Sequence, residues 1–157
     1  MLILQHLTKE KPGHSAIKFI KNYAALPKVE CYAGQLNQVF MNIINNAVDA
    51  LRERDQKRSL GEIEANPSEI AITTSIISEN RARISIKDNG VGMDEAVKGK
   101  IFDPFFTTKQ VGHGTGLGLS ISYQIVVDKH GGRLECISAI GEGTELAIEI
   151  PIANSRS

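Results

Sequence analysis

The sequence predicts a two-layer α/β sandwich, a mixed and mostly antiparallel sheet with helices on one face. Three observations predict it. Four short segments, residues 70–77, 82–87, 133–138 and 144–150, read as strands; apolar and polar positions alternate in two of them, Ile84 and Ile86 against Ser85 and Lys87, and Leu146, Ile148 and Ile150 against Glu145, Ala147 and Glu149. They form two pairs joined by short turns, Ser78-Glu79-Asn80-Arg81 and Gly141-Glu142-Gly143, which favours antiparallel neighbours. From about Ala33 to Glu53, Leu36, Val39, Phe40, Ile43, Ile44, Ala47, Val48 and Leu51 recur at the spacing of one buried helix face. Strands and helices do not alternate strictly, so a doubly wound parallel sheet does not fit.

The remaining elements follow in order. Residues 1–30 read as short N-terminal extended pieces and a linker, punctuated by Pro12-Gly13 and Leu26-Pro27. The polar stretch from Asp55 to Pro67 reads as an exposed loop. Glycines crowd into the region from Gly90 to Gly118, interrupted by a short helix over residues 94–99. A second long helix is expected over residues 117–130, with Gly131 suited to its C-terminal cap. A chain of 157 residues suits one domain, 1–157, with a sizeable core.

Composition excludes several classes of function. Hydrophobic residues make up 41% and charged residues 23%, which suits neither a disordered tail nor a membrane protein. Eighteen Lys and Arg balance eighteen Asp and Glu, so no nucleic-acid partner is expected from charge. Trp is absent and aromatics are 5%, which argues against base-stacking platforms. No apolar run nears the roughly 20 residues of a bilayer span, and Met1 to Leu7 is too short for a secretory signal. Cys31 and Cys136 lie far apart without metal-ligand spacing, as small buried hydrophobes in a reducing compartment do. A cytoplasmic location is expected.

Three groups of residues carry chemistry. On the first helix Asn42, Asn46 and Asp49 are spaced four and three apart and share one side, away from the apolar stripe. Two amides and a carboxylate offer oxygen ligands to a hard cation such as Mg²⁺; a solvated polar face is the simpler reading, although Asn costs helix propensity there. Asp88-Asn89-Gly90-Val91-Gly92 follows a strand. Its Asp can accept from an exocyclic amine, and its glycines let a ligand lie against backbone; a plain turn would also use Asn-Gly. Gly112-His113-Gly114-Thr115-Gly116-Leu117-Gly118 runs into a helix, where free backbone amides can wrap phosphates. No G-x-x-x-x-G-K-[ST] occurs, and no strand precedes the glycines, so neither common phosphate loop is present.

Asn42-Ile43-Ile44-Asn45-Asn46-Ala47, Asp88-x-Gly90-x-Gly92, Phe102-Asp103-Pro104-Phe105-Phe106-Thr107-Thr108-Lys109 and Gly112-x-Gly114-x-Gly116-x-Gly118 occur in this order. The set resembles the N box, first glycine box, F box and second glycine box of bacterial sensor histidine kinases. These belong to a superfamily with gyrase, a mismatch-repair ATPase and a heat-shock chaperone. The resemblance covers about Gly34 to Pro151 and implies an ATP-binding catalytic domain of the Bergerat type. It implies that Asn46 holds Mg²⁺, with Asn42 beside it near the triphosphate and Asp49 ranked lower as a helper. Asp88 would accept from the adenine amine, and Gly90 and Gly92 would belong to the same site. Gly112, Gly114, Thr115, Gly116, Leu117 and Gly118 would serve the phosphates, Lys109 would add a phosphate contact, and Thr144 would support the adenine. Residues 107–116 would be the ATP lid.

The implied activity is transfer of the ATP γ-phosphoryl group to a histidine on a dimerisation and phosphoacceptor domain, with a response regulator downstream. Where the superfamily's ATPases place a Glu four residues before the Mg²⁺ asparagine, this chain has Asn42, which cannot act as a general base. Slow futile hydrolysis is therefore expected. His6, His14, His113 and His130 all lack the acidic neighbour of an acceptor motif, so the acceptor is expected on another segment and this piece as a monomer. Two other readings are a serine kinase that inhibits a sigma factor and a nucleotide-sensing module without catalysis.

Overall fold

The computed structural model describes residues 17–23, 33–78, 80–103 and 118–152. Five strands form one sheet in the order β1-β2-β3-β5-β4. They are β1 (Lys18–Asn22), β2 (Glu69–Ser78), β3 (Arg81–Asp88), β4 (Arg133–Ala139) and β5 (Gly143–Pro151). The β2–β3, β3–β5 and β4–β5 pairs are antiparallel, and β1 runs parallel to β2. A parallel neighbour needs a crossover. Here the crossover contains α1 (Ala33–Gln56) and α2 (Leu60–Ala65).

Ladder register sorts the side chains into rows, since directly opposed residues share a face. Ile72, Ile86, Leu146 and Cys136 form one row; Thr74, Ile84, Ile148 and Leu134 form the next. Against this face α1 buries Leu36, Val39, Ile43, Ile44, Ala47, Val48 and Leu51. The helical stripe expected from sequence is the core of the domain. Ile125 and Val126, from the helix before β4, complete it.

That last helix differs from expectation. It starts as α4 (Gly118–Tyr123) and widens into π winding over Gln124–Lys129. The His130 ring nitrogen Nδ1 lies 2.8 Å from the Ile125 carbonyl oxygen inside this turn. Gly131, at φ +64°, ends it as predicted, and its amide donates to the Val127 carbonyl. The short α3 (Glu95–Lys98) also forms as expected, capped by Asp94, whose side chain accepts from the Val97 amide.

The reading of residues 55–67 as a loop is corrected by α2. Ser59 accepts from the Glu62 amide while the Glu62 carboxylate accepts from the Ser59 amide, a complete capping box. Polarity hid this helix, because none of its residues is buried. Arg58 holds the turn before it, pairing with Asp55 at 2.6 Å and donating to the Asn66 carbonyl at 2.7 Å. The other Asp55 oxygen accepts from Ser68, which is fully buried at the entrance to β2.

The cap gives a direct test. Ser59→Ala should lower stability by about 1 kcal/mol, and Ser59→Asp should stay near wild type. Urea unfolding checks both; an unchanged midpoint in Ser59→Ala would show that α2 does not depend on its cap.

Candidate functional site

Of the predicted residues, Asp88 and Thr144 lie on the helix-covered face of the sheet, at the end where β3 finishes. Register places Asp88 of β3 opposite Thr144 of β5, and Thr144 opposite Ser138 of β4. The apolar rows therefore end in a polar row, on the same side as α1. Asp88 is only 5% exposed. Burial raises its pKa from the usual carboxylate value to about 6, against the pull of the Gly90 and Thr144 backbone amides. The Gly90 amide donates to Asp88 Oδ1 at 2.8 Å. Asp88 is thus a desolvated acceptor held by neutral donors.

Ser138 was missed in the sequence, although its place opposite Thr144 across a tight hairpin would have pointed to it. Its hydroxyl lies 3.0 Å from the Gly143 carbonyl, 2.8 Å from the Met93 amide and 2.8 Å from Thr144 Oγ1. A hydroxyl has one proton, and the Gly143 carbonyl can only accept. Ser138 therefore donates to Gly143 and accepts from Met93, which leaves Thr144 as the donor to Ser138. The Thr144 side chain is committed to this network while its backbone faces Asp88.

Gly90 and Gly92 have a tighter reason to be glycine than room for a ligand. Gly92 has φ +73°, and a Cβ there would lie 2.0 Å from the Ala139 carbonyl oxygen. Gly143, at φ +84°, would bring a Cβ within 2.1 Å of the Asp88 carbonyl oxygen. The loop after β3 and the β4–β5 hairpin are thus packed backbone to backbone, and the Gly141 amide donates to the Val91 carbonyl. Asn89 secures the other side, accepting from the Glu69 amide and donating to the Pro67 carbonyl. A Cβ on Gly90 would sit 3.0 Å from Ala50 Cβ. That contact seats the loop on α1, one turn beyond Asn46.

Asn42 joins α1 to the second glycine motif. Its amide nitrogen donates to the Gly118 carbonyl at 3.0 Å and to Ser122 Oγ at 3.2 Å. Ser122, fully buried, donates in turn to the Gly118 carbonyl at 2.8 Å. Asn46 and Asp49 lie half-buried on α1. Their amide and carboxylate oxygens are the donor set that Mg²⁺ takes when it keeps waters and substrate phosphates as its other ligands. The residues present fit that ion. Lys109, Gly112, Gly114, Thr115, Gly116 and Leu117 lie outside the described residues, as do most of the F box, Cys31 and three of the four histidines. Cys136 is half-buried and free, its thiol pushed up to about 11 by burial. Among the described residues no helix is long and apolar enough to cross a membrane.

Comparison with known proteins agrees with this geometry. Residues 32–154 match the family model described as histidine kinase-, DNA gyrase B- and HSP90-like ATPase. Sporulation kinase E of Bacillus subtilis is 35% identical over 127 residues, which are 81% of this chain and 15% of that protein. The chain therefore spans a small fraction of that relative. The nucleotide-free catalytic domain of histidine kinase ThkA superimposes with a TM-score of 0.69 at 32% identity, covering 88% of this chain and 82% of that one. Full-length ShkA in complex with AMPPNP gives a TM-score of 0.71 at 26% identity, covering 90% of this chain and 27% of that one. Four motifs in order, a shared sheet and a family match over most of the chain lead to one assignment: the chain belongs to the histidine kinase-, DNA gyrase B- and HSP90-like ATPases.

Proposed function

We propose that this domain binds Mg²⁺-ATP and passes the γ-phosphoryl group to a histidine on a separate dimerisation and phosphoacceptor domain of a sensor kinase. A response regulator would receive the group next. One observation carries the reading: α1 touches both glycine motifs. Ala50 contacts Gly90, and Asn42 bonds Gly118. Eight residues separate Asn42 from Ala50, roughly 12 Å along the helix axis. A nucleotide along this face would set its base against Asp88 and its phosphates toward Gly118, with Asn46 and Asp49 between.

In that arrangement Asp88 accepts from the adenine amine, and Thr144 fixes Asp88 through its backbone. Asn46 and Asn42, with Asp49 in support, would hold Mg²⁺, which supplies charge neutralisation at the phosphates. The chain's own work is positioning rather than covalent chemistry. Asn42 cannot take a proton from water, so hydrolysis without an acceptor should be slow. His130 is turned to the Ile125 carbonyl in the helix end, which suits an acceptor located on another domain.

The transfer test uses labelled ATP, Mg²⁺ and the phosphoacceptor domain of the parent kinase. Label should enter that domain, with little acid-labile phosphate on this chain alone. Stable labelling of this chain without a partner would overturn the assignment of the acceptor.

Two further outcomes follow from the site. Adenosine has no titrating phosphate, so its affinity should report Asp88. Binding should be strongest above pH 6 and fall as pH drops through about 6, because the protonated carboxyl no longer offers a charged acceptor. Asp88→Asn should weaken binding by roughly 1–3 kcal/mol and flatten the pH profile. A flat wild-type profile would take Asp88 out of base recognition. For the metal, calorimetry with and without a chelator should show tighter ATP binding with Mg²⁺ in wild type and equal affinities in Asn46→Ala.

A further inference from the structure

The bonds around Asn42 determine more than a contact between two helices. A carbonyl oxygen only accepts, so the end of the Asn42 amide lying 3.0 Å from the Gly118 carbonyl must be its nitrogen. The Ser122 hydroxyl has one proton, and it goes to that same carbonyl at 2.8 Å. Its lone pair then faces the Asn42 nitrogen at 3.2 Å. Every donor and acceptor in this triangle has one assignment. The amide cannot flip without setting its oxygen against the Gly118 carbonyl and leaving Ser122 without a donor.

Burial adds weight to this arrangement. Ser122 is fully buried, where a hydroxyl is retained only if it is bonded. It sits on α4, while the residue it orients sits on α1, 80 positions earlier. With the nitrogen held, the planar side chain leaves Oδ1 as its free end. Among the described residues no donor reaches that oxygen. Asn46 lies one turn along α1, on the same side.

We propose that Ser122 is a positioning residue that locks the Asn42 amide with its oxygen presented to the metal-binding face shared with Asn46. Ser122 touches neither nucleotide nor cation; it acts through Asn42. Without it the amide keeps only its bond to the Gly118 carbonyl, so its orientation is held less firmly, and an NH₂ group turned to a cation repels rather than binds it. The inference rests on the Mg²⁺-ATP reading for its consequence, but not for the bond pattern itself.

Two measurements on this chain test it separately. In the apo protein, NMR of side-chain amides should show the Asn42 Nδ2 protons exchanging slowly, and in Ser122→Ala exchanging much faster. Bulk-like exchange in wild type would overturn the proposal whether or not any variant folds. In calorimetry, Ser122→Ala should lose about fivefold of the Mg²⁺-dependent gain in ATP affinity, the size of one neutral hydrogen bond. Its affinity for adenosine, which needs no metal, should stay within about twofold on the same scale. An unchanged Mg²⁺ gain in Ser122→Ala would overturn the positioning role. A parallel loss of adenosine binding would show a merely structural role and overturn it as well. If wild type binds neither ligand, the functional reading fails, and the amide exchange still decides the bond pattern.

Discussion

The rotation of α1 about its own axis is the constraint on which the rest of the structure depends. Seven buried apolar residues, from Leu36 to Leu51, face the apolar rows of the sheet. At 3.6 residues per turn, burying that stripe leaves one direction for Asn42, Asn46 and Asp49. Burial sets the side of the helix on which the polar residues leave it, and bonds such as that of Asn42 to Gly118 set how each side chain is turned there. Hydrophobic burial of one face aims the other, and each buried branched side chain contributes on the order of 2 kcal/mol to holding it there.

The sheet end is held by a different kind of force. Between the loop after β3 and the β4–β5 hairpin, two glycine positions let backbone meet backbone. Both, Gly92 and Gly143, stand at positive φ with carbonyl oxygens where a Cβ would be. Such contacts have little slack, because backbone cannot rotate away as a side chain can. The polar row of Asp88, Thr144 and Ser138 sits on this rigid corner. A buried carboxylate without a cation is costly, and the raised pKa of Asp88 is the sign of that cost. A donor supplied by a ligand would offset part of it. The domain keeps an unfavourable group in a buried polar corner, an arrangement common at binding sites.

The helix–helix contact between α1 and α4 is held by a small polar cluster rather than by apolar packing alone. The Asn42 amide nitrogen, the Ser122 hydroxyl and the Gly118 carbonyl bond one another in a closed triangle. A closed set of bonds of this kind favours one geometry, since a slip leaves the buried Ser122 hydroxyl unpaired. The same residues tie the helix that carries Asn46 to the helix that follows the second glycine motif. The next turn, wound as a π helix, carries Ile125 and Val126, both buried in the core.

The sequence by itself determined the layers, four of the strands, the buried face of α1 and the motifs that name the family. These depend on local periodicity and on short spacings, which a single chain displays directly. The helix α2 was also legible in Ser59-x-x-Glu62, but its polar surface outweighed the cap in a reading led by burial. Tertiary structure alone decided that Thr144 donates to Ser138, that Gly92 makes room for a carbonyl rather than only a ligand, and that the Asn42 amide bonds Ser122. Each of those facts joins residues from different elements, 6, 47 and 80 positions apart in turn. Periodicity says which side of an element a residue occupies. Which atom it meets there is set by register and close packing, and those exist only once the chain has folded.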